Sequence, residues 1–185
     1  MQLSVQRIVM AGLLGALAIF LAVTRLGFIP IPNVTGNATI MHVPVILGAV
    51  LGGPVVGLIV GGIFGIFSFL QAENAVFADP LVSVLPRLFI GPMAYLAFAA
   101  VRRSSMPVAL GAAAVVGTLT NTVLVLTMGV VRKLIPVEVL PTIVPQAVAE
   151  IVIAVILVVA IGMAAERTGL GGEVTSPRGA SRTRA

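Results

Sequence analysis

Long apolar runs with almost no charge in them decide what this chain can fold into. Of its 185 residues, 59% are hydrophobic and 9% are Asp, Glu, Lys or Arg. A soluble domain carries about 25% charged residues, so this sequence lacks the polar surface to cover a water-soluble globule. Its 20 glycines and 12 prolines are spread through the apolar runs and do not mark disorder. The chain is read as a polytopic, all-α membrane protein. At roughly 20 residues per crossing plus short loops, it holds about six helices. That length leaves no room for a large extramembrane or nucleotide-binding domain. With no cysteine, disulfides, thiolate catalysis and cysteine metal sites are excluded. The net charge of +5 is read as positive-inside topology plus a basic tail, with no nucleic acid as partner.

Arg7 precedes the first apolar stretch, which runs to about Gly27. It is long and lacks a small-x-small cleavage site, so it reads as a helix and not a signal peptide. Residues 28–38, with Pro30, Pro32, Asn33, Gly36 and Asn37, read as a loop. The second helix covers about 39–52 and the third about 54–71, with Pro54 suited to a first helical position. A loop over 72–82 contains Glu73, Asp79 and Pro80; the fourth helix covers about 83–101 and ends at Arg102 and Arg103. The fifth spans about 107–131 and the sixth about 142–165. This makes residues 1–165 a six-helix membrane domain and 166–185 a basic, disordered cytoplasmic tail. Six spans put both termini on one side. Arg7, Arg102, Arg103, Arg167, Arg178, Arg182 and Arg184 against Arg25, Arg87, Arg132 and Lys133 make that side cytoplasmic. Arg132 and Lys133 break the rule locally, which points to an unusual fifth helix or to an external anionic ligand or lipid. The second helix, roughly 21 Å long, is short for a crossing. Uneven helices with prolines at mid-depth suit a binding cup open to one face. The absence of an internal repeat weighs against an inverted-repeat carrier.

Small residues recur at helical spacing in two places. Gly53, Gly57, Gly61 and Gly65 lie on one face of the third helix, a pattern for close helix packing inside the chain. Ala11, Gly15, Ala18 and Ala22 form a stripe on the first helix, with Gly12 and Ala16 beside them. That stripe serves either internal packing or docking of a separate membrane partner. Polar residues inside the apolar spans are the other signal, because ionisable groups in a bilayer are costly and face the bundle interior. Arg87, His42, Asn121, Gln146 and Glu150, with Thr118 and Thr122, share the outer half, and Tyr95 lies deeper. They are expected to wall a hydrogen-bonding pocket for a small polar ligand; the alternative is a structural Arg87–Glu150 pair. One histidine and no cysteine give no metal site. No nucleophile–base pair or phosphate loop is present, so the chain is not read as an enzyme. Two rivals are a stand-alone carrier or channel, and an intramembrane enzyme using Glu150 with His42. The carrier would need a continuous polar path, yet the inner halves of the last two helices are nearly all Ala, Val, Ile and Leu.

Three stretches together are similar to a known family: Arg7 before an alanine-rich helix, Met41-His42-Val43-Pro44 leading to Gly52-Gly53-Pro54-Val55-Val56-Gly57, and Leu85-Pro86-Arg87-Leu88-Phe89-Ile90-Gly91-Pro92. The chain resembles the substrate-binding S component of energy-coupling factor (ECF) vitamin transporters over about residues 7–165. The resemblance implies a six-helix bundle in a prokaryotic plasma membrane with a vitamin cavity near the outer face. It implies as partners a transmembrane coupling subunit and two cytosolic ATPases that hydrolyse ATP, with no cofactor in this chain. It also implies that the small-residue stripe of the first helix docks the coupling subunit. The Pro-Arg-x-x-Ile-Gly stretch is similar to pantothenate-type and hydroxymethylpyrimidine-type members. With no Trp and one Tyr, a flat aromatic vitamin finds little stacking surface beyond Phe28 and Phe77. Arg87, Asn121 and Gln146 suit a carboxylate and an amide, and pantothenate is the expected substrate.

Overall fold

The computed structural model describes residues 3–30, 37–72 and 74–169. In chain order these form α1 (Val5–Val23), β1 (Phe28–Pro30), β2 (Asn37–Thr39), α2 (Val43–Gly52), α3 (Pro54–Leu70), the short α4 (Pro80–Ser83), α5 (Leu85–Val101), α6 (Met106–Val131), a 3₁₀ turn (Val137–Val139) and α7 (Leu140–Arg167). The segment expected as a loop instead holds an antiparallel pair, with Phe28 opposite Thr39 and Pro30 opposite Asn37. Pro30, which cannot donate to a ladder, sits at its end, where a lost donor is tolerated. Residues 39–42, expected in the second helix, are strand and turn, and the helix starts at Val43 with Pro44 in its first turn. Most of the tail, from residue 170, lies outside the described residues, as does Glu73.

All ten residues of α2 are buried. A helix that is apolar all round belongs in the centre of a bundle, and the other helices wrap it. Ten residues reach only about 15 Å, half the hydrocarbon thickness of a bilayer. Among the described residues, four segments are long and apolar enough to cross a membrane: Val5–Val23, Pro80–Val101, Met106–Val131 and Val137–Arg167. The six main helices were expected as six crossings; α2 and α3 are shorter apolar helices, α2 buried throughout and α3 exposing Leu58, Ile66 and Leu70 on its outer face. Gly53 joins them at φ 93°, a left-handed geometry that a side chain resists. Outward faces are apolar, with Leu13, Leu70, Val123 and Ile156 exposed, as lipid contact requires.

The glycine face of α3 packs on α5, as expected for internal packing. A Cβ on Gly57 would stand 2.9 Å from the Gly91 Cα, and one on Gly65 would stand 3.0 Å from the Val84 Cα. A Cβ on Gly61 would collide with the Arg87 carbonyl oxygen. Backbone therefore meets backbone along α3 and α5, as small residues allow in lipid.

The stripe Ala11, Gly15 and Ala18 is buried. The Gly15 position lies against Ile63 of α3, whose Cδ1 would be 2.7 Å from an added Cβ. This corrects the expectation that the stripe is a free docking face: its small side chains let α1 pack onto α2 and α3. Ala22 is half-buried and borders the cavity described below. The face of α1 left exposed carries Val9, Gly12, Leu13, Ala16, Leu17 and Phe20.

Gly91→Ala is expected to destabilise the bundle by about 1–3 kcal/mol through overpacking against Gly57. Gly111→Ala, where an added Cβ meets nothing within 4 Å, should leave stability equal or slightly higher because alanine favours the helix. Thermal unfolding of both variants in detergent checks the pair.

Candidate functional site

The C-terminal ends of α1, α3 and α6 and the N-terminal ends of α5 and α7 meet around one cavity of about 990 Å³, together with the paired strands β1 and β2 and the two connecting segments. The start of α1 and the end of α7 lie at the opposite end of the bundle, with Arg7, Arg102, Arg103 and Arg167. Beneath the cavity the bundle closes on packed apolar side chains, among them Ile46, Leu110, Ala113, Ala154 and Val158.

Arg87, Asn121, Gln146 and Glu150 all line the cavity. Arg87 is 4% exposed. The glycine face of α3 sets its place, since Gly61 and Gly65 let the first turn of α5 come in close. Its Nη1 donates to the Val82 carbonyl at 2.5 Å. Its guanidinium carbon lies 5.5 Å from the Phe64 ring centre and 5.1 Å from that of Phe77, within cation–π range. Its Nε is buried with no hydrogen-bond partner. No ion pair joins Arg87 to a carboxylate among the described residues, so the structural Arg87–Glu150 pair does not form.

Glu150 is held differently. Its Oε1 accepts from the Thr39 backbone N–H at 2.8 Å and from the Gln146 Nε2 at 3.3 Å. The carboxylate thereby ties strand β2 to α7. Asn121 is 9% exposed, and its Oδ1 has no partner. Thr122 and Val125 continue the α6 wall.

Two candidates fall outside the cavity. His42 is fully buried at the start of α2, and its Nε2 lies 2.9 Å from the Thr118 Oγ1; the ring links α2 to α6 below the site. Tyr95 packs, half-buried, against the apolar core, about 12 Å further along α5 than Arg87. Neither lines the cavity, and the Glu150–His42 pairing that an enzyme reading needs is not assembled. Phe77 and Phe28, expected as stacking surfaces for ligand, both line the cavity, and Phe77 also lies over Arg87.

The awkward Arg132 has a partner within the chain. Its Nε donates to the Asp79 Oδ2 at 2.7 Å, while the Asp79 Oδ1 caps α4 by accepting from the Leu81 N–H at 2.9 Å. The ion pair clasps together two segments that border the cavity: the one before α4, which carries Phe77, and the one after α6, which carries Leu134 and Ile135. The first segment is further pinned by Asn74, whose Oδ1 accepts from the Phe77 N–H at 3.1 Å, and by the Ser83 hydroxyl donating to the Phe77 carbonyl. The sequence alone gave no reason to join Asp79 with Arg132, or Thr39 with Glu150.

A six-helix apolar bundle with a polar, one-ended cavity now has a counterpart among known proteins. A family model described as "ECF transporter, substrate-specific component" matches residues 6–162. The chain belongs to this family. A comparison with curated proteins gave no match. Membership makes the chain a membrane-embedded transport component, and it implies a small-molecule substrate and association with the transmembrane and ATPase modules of an ECF transporter.

The Arg132 guanidinium, donating to Asp79, holds that carboxyl below the usual carboxylate range. A lowered folded-state value means the clasp stabilises above the unfolded value of about 3.9 and is lost as pH falls through the lowered one. Asp79→Asn keeps a good helix cap and removes the charge. Wild type should therefore melt above Asp79→Asn at pH 7, and the difference should shrink toward zero below about pH 4.

Proposed function

We propose that this chain is the substrate-binding subunit of an ATP-driven ECF uptake transporter in a prokaryotic plasma membrane, and that it captures a small anionic vitamin, pantothenate, in the cavity. The observation that carries the reading is Arg87. A permanently charged guanidinium buried without a carboxylate partner is expensive, and a ligand anion arriving at its free edge relieves that cost. Pantothenate offers a carboxylate for Arg87, and an amide and hydroxyls for Asn121, Gln146 and Glu150. The apolar walls supplied by Met41, Val125 and Ile143 suit its branched hydrocarbon middle. In this reading the cavity faces outward and the Arg7, Arg102, Arg103 and Arg167 end faces the cytoplasm. The closed apolar layer under the cavity supports a binding subunit over a stand-alone channel, because release inward then requires partner subunits. ATP is hydrolysed by those partners.

The coupling subunit docks, in this reading, on the exposed face of α1 around Gly12 and Ala16. An added Cβ on Gly12 would meet nothing within 4 Å, so a foreign helix can approach there closely.

Titration of purified protein with pantothenate tests the site. Arg87→Ala should weaken binding about 10-fold or more, as expected for a charge-assisted hydrogen bond of ~1.5–3 kcal/mol. Undiminished affinity would remove Arg87 from the site. Ala16→Trp tests the docking face: it should retain pantothenate binding in detergent yet lose co-purification with the coupling subunit and ATP-dependent uptake. Uptake by cells lacking the ATPase module would replace this reading with a carrier.

A further inference from the structure

Glu150 and Asn121 both line the cavity, but they differ in how their oxygens are engaged. The Glu150 Oε1 is already engaged by the Thr39 amide and by Gln146. The Asn121 Oδ1 is buried and accepts nothing. A buried carbonyl left without a donor costs about as much as a lost hydrogen bond. Asn121 sits one helical turn from Thr118, whose hydroxyl is paired with His42, so the fold satisfies the polar group below it and leaves this one open. The second orphaned atom on a cavity-lining residue is the Arg87 Nε, a donor. One buried donor carrying positive charge and one buried neutral acceptor therefore stand unpaired on residues that line the same cavity.

We infer that Asn121 is the specificity-determining residue of this site, selecting monoanions that carry a hydroxyl or amide N–H donor in addition to their anionic group. The inference rests on the reading that the cavity binds an anionic solute. A neutral amide oxygen accepts from a hydroxyl or N–H and makes no demand for a cation. A substrate without a donor leaves this oxygen buried and unpaired, and a site built for a hydrogen bond rejects such an analogue strongly. A second carboxylate is disfavoured as well, because it would meet the Asn121 oxygen and the Glu150 carboxylate with Arg87 already engaged.

The test uses pantothenate and analogues in which one hydroxyl is replaced by hydrogen or the amide nitrogen is methylated. Binding is measured by calorimetry on full-length wild type, Asn121→Leu and Asn121→Asp. Wild type should prefer pantothenate over at least one analogue by about 10-fold or more. In Asn121→Leu, near-isosteric but without the acceptor, that preference should fall to near one. Its ligand-free melting temperature should equal or exceed that of wild type, because an unsatisfied buried group has been removed. Asn121→Asp keeps the oxygen, so it should keep the preference while binding every monoanion more weakly. An unchanged preference in Asn121→Leu, a lost preference in Asn121→Asp, or a large drop in the ligand-free melting temperature of Asn121→Leu would each overturn the inference and leave the pocket assignment standing. Failure of wild type to bind any of these monoanions would overturn both.

Discussion

The backbone contact between α3 and α5 is the constraint on which the placement of Arg87 in the cavity depends. Where Gly57 meets Gly91 and Gly61 meets the Arg87 carbonyl, a methyl group on either side would push the helices apart. In lipid no hydrophobic force draws helices together, so association rests on such close van der Waals contact. The same contact sets the depth of Arg87. Its side chain leaves a backbone that is pressed against α3 and passes over the Phe64 ring, which that helix also supplies. A packing device of one helix thereby becomes a positioning device for the charge of another.

The buried and half-buried charges around the cavity are handled in three ways. Asp79 and Arg132 pair at the protein surface, where water already lowers the cost of each charge and the pairing mainly organises loops. Glu150 is solvated by the chain itself, through a backbone N–H and a side-chain amide. Arg87 receives one carbonyl and two aromatic faces, which lessen the cost of burial without neutralising the charge. The first two arrangements give each charge a hydrogen-bonding partner within the fold. The third leaves a donor over, which the proposed function assigns to a ligand anion.

The two faces of α1 show how similar residues acquire different roles. Ala11, Gly15 and Ala18, whose spacing suits either internal packing or docking, are the buried face. Gly12 and Ala16, one position away, remain open. Both stripes satisfy the same spacing rule, and a one-residue rotation of the helix exchanges them. Only the bulk of α3, with Ile63 seated against Gly15, selects between them.

The sequence by itself determined the environment, the helical class and the identity of the polar set. Those follow from composition and from the cost of charge in lipid, which act residue by residue and need no knowledge of neighbours. It also determined that the α3 glycines pack, because their repeat leaves them no other use. The tertiary structure decided what depends on how helices rotate and how loops fold back. It sent His42 to Thr118 and Tyr95 into the core, away from the cavity. It paired strands Phe28–Pro30 and Asn37–Thr39, so that the Thr39 amide reaches Glu150 across the chain, and it joined Asp79 to Arg132. These pairings link residues far apart in the chain, and hydrophobic periodicity reports only which face of a helix is apolar. Which polar atoms are satisfied, and therefore which remain for a ligand, is a property of the assembled bundle.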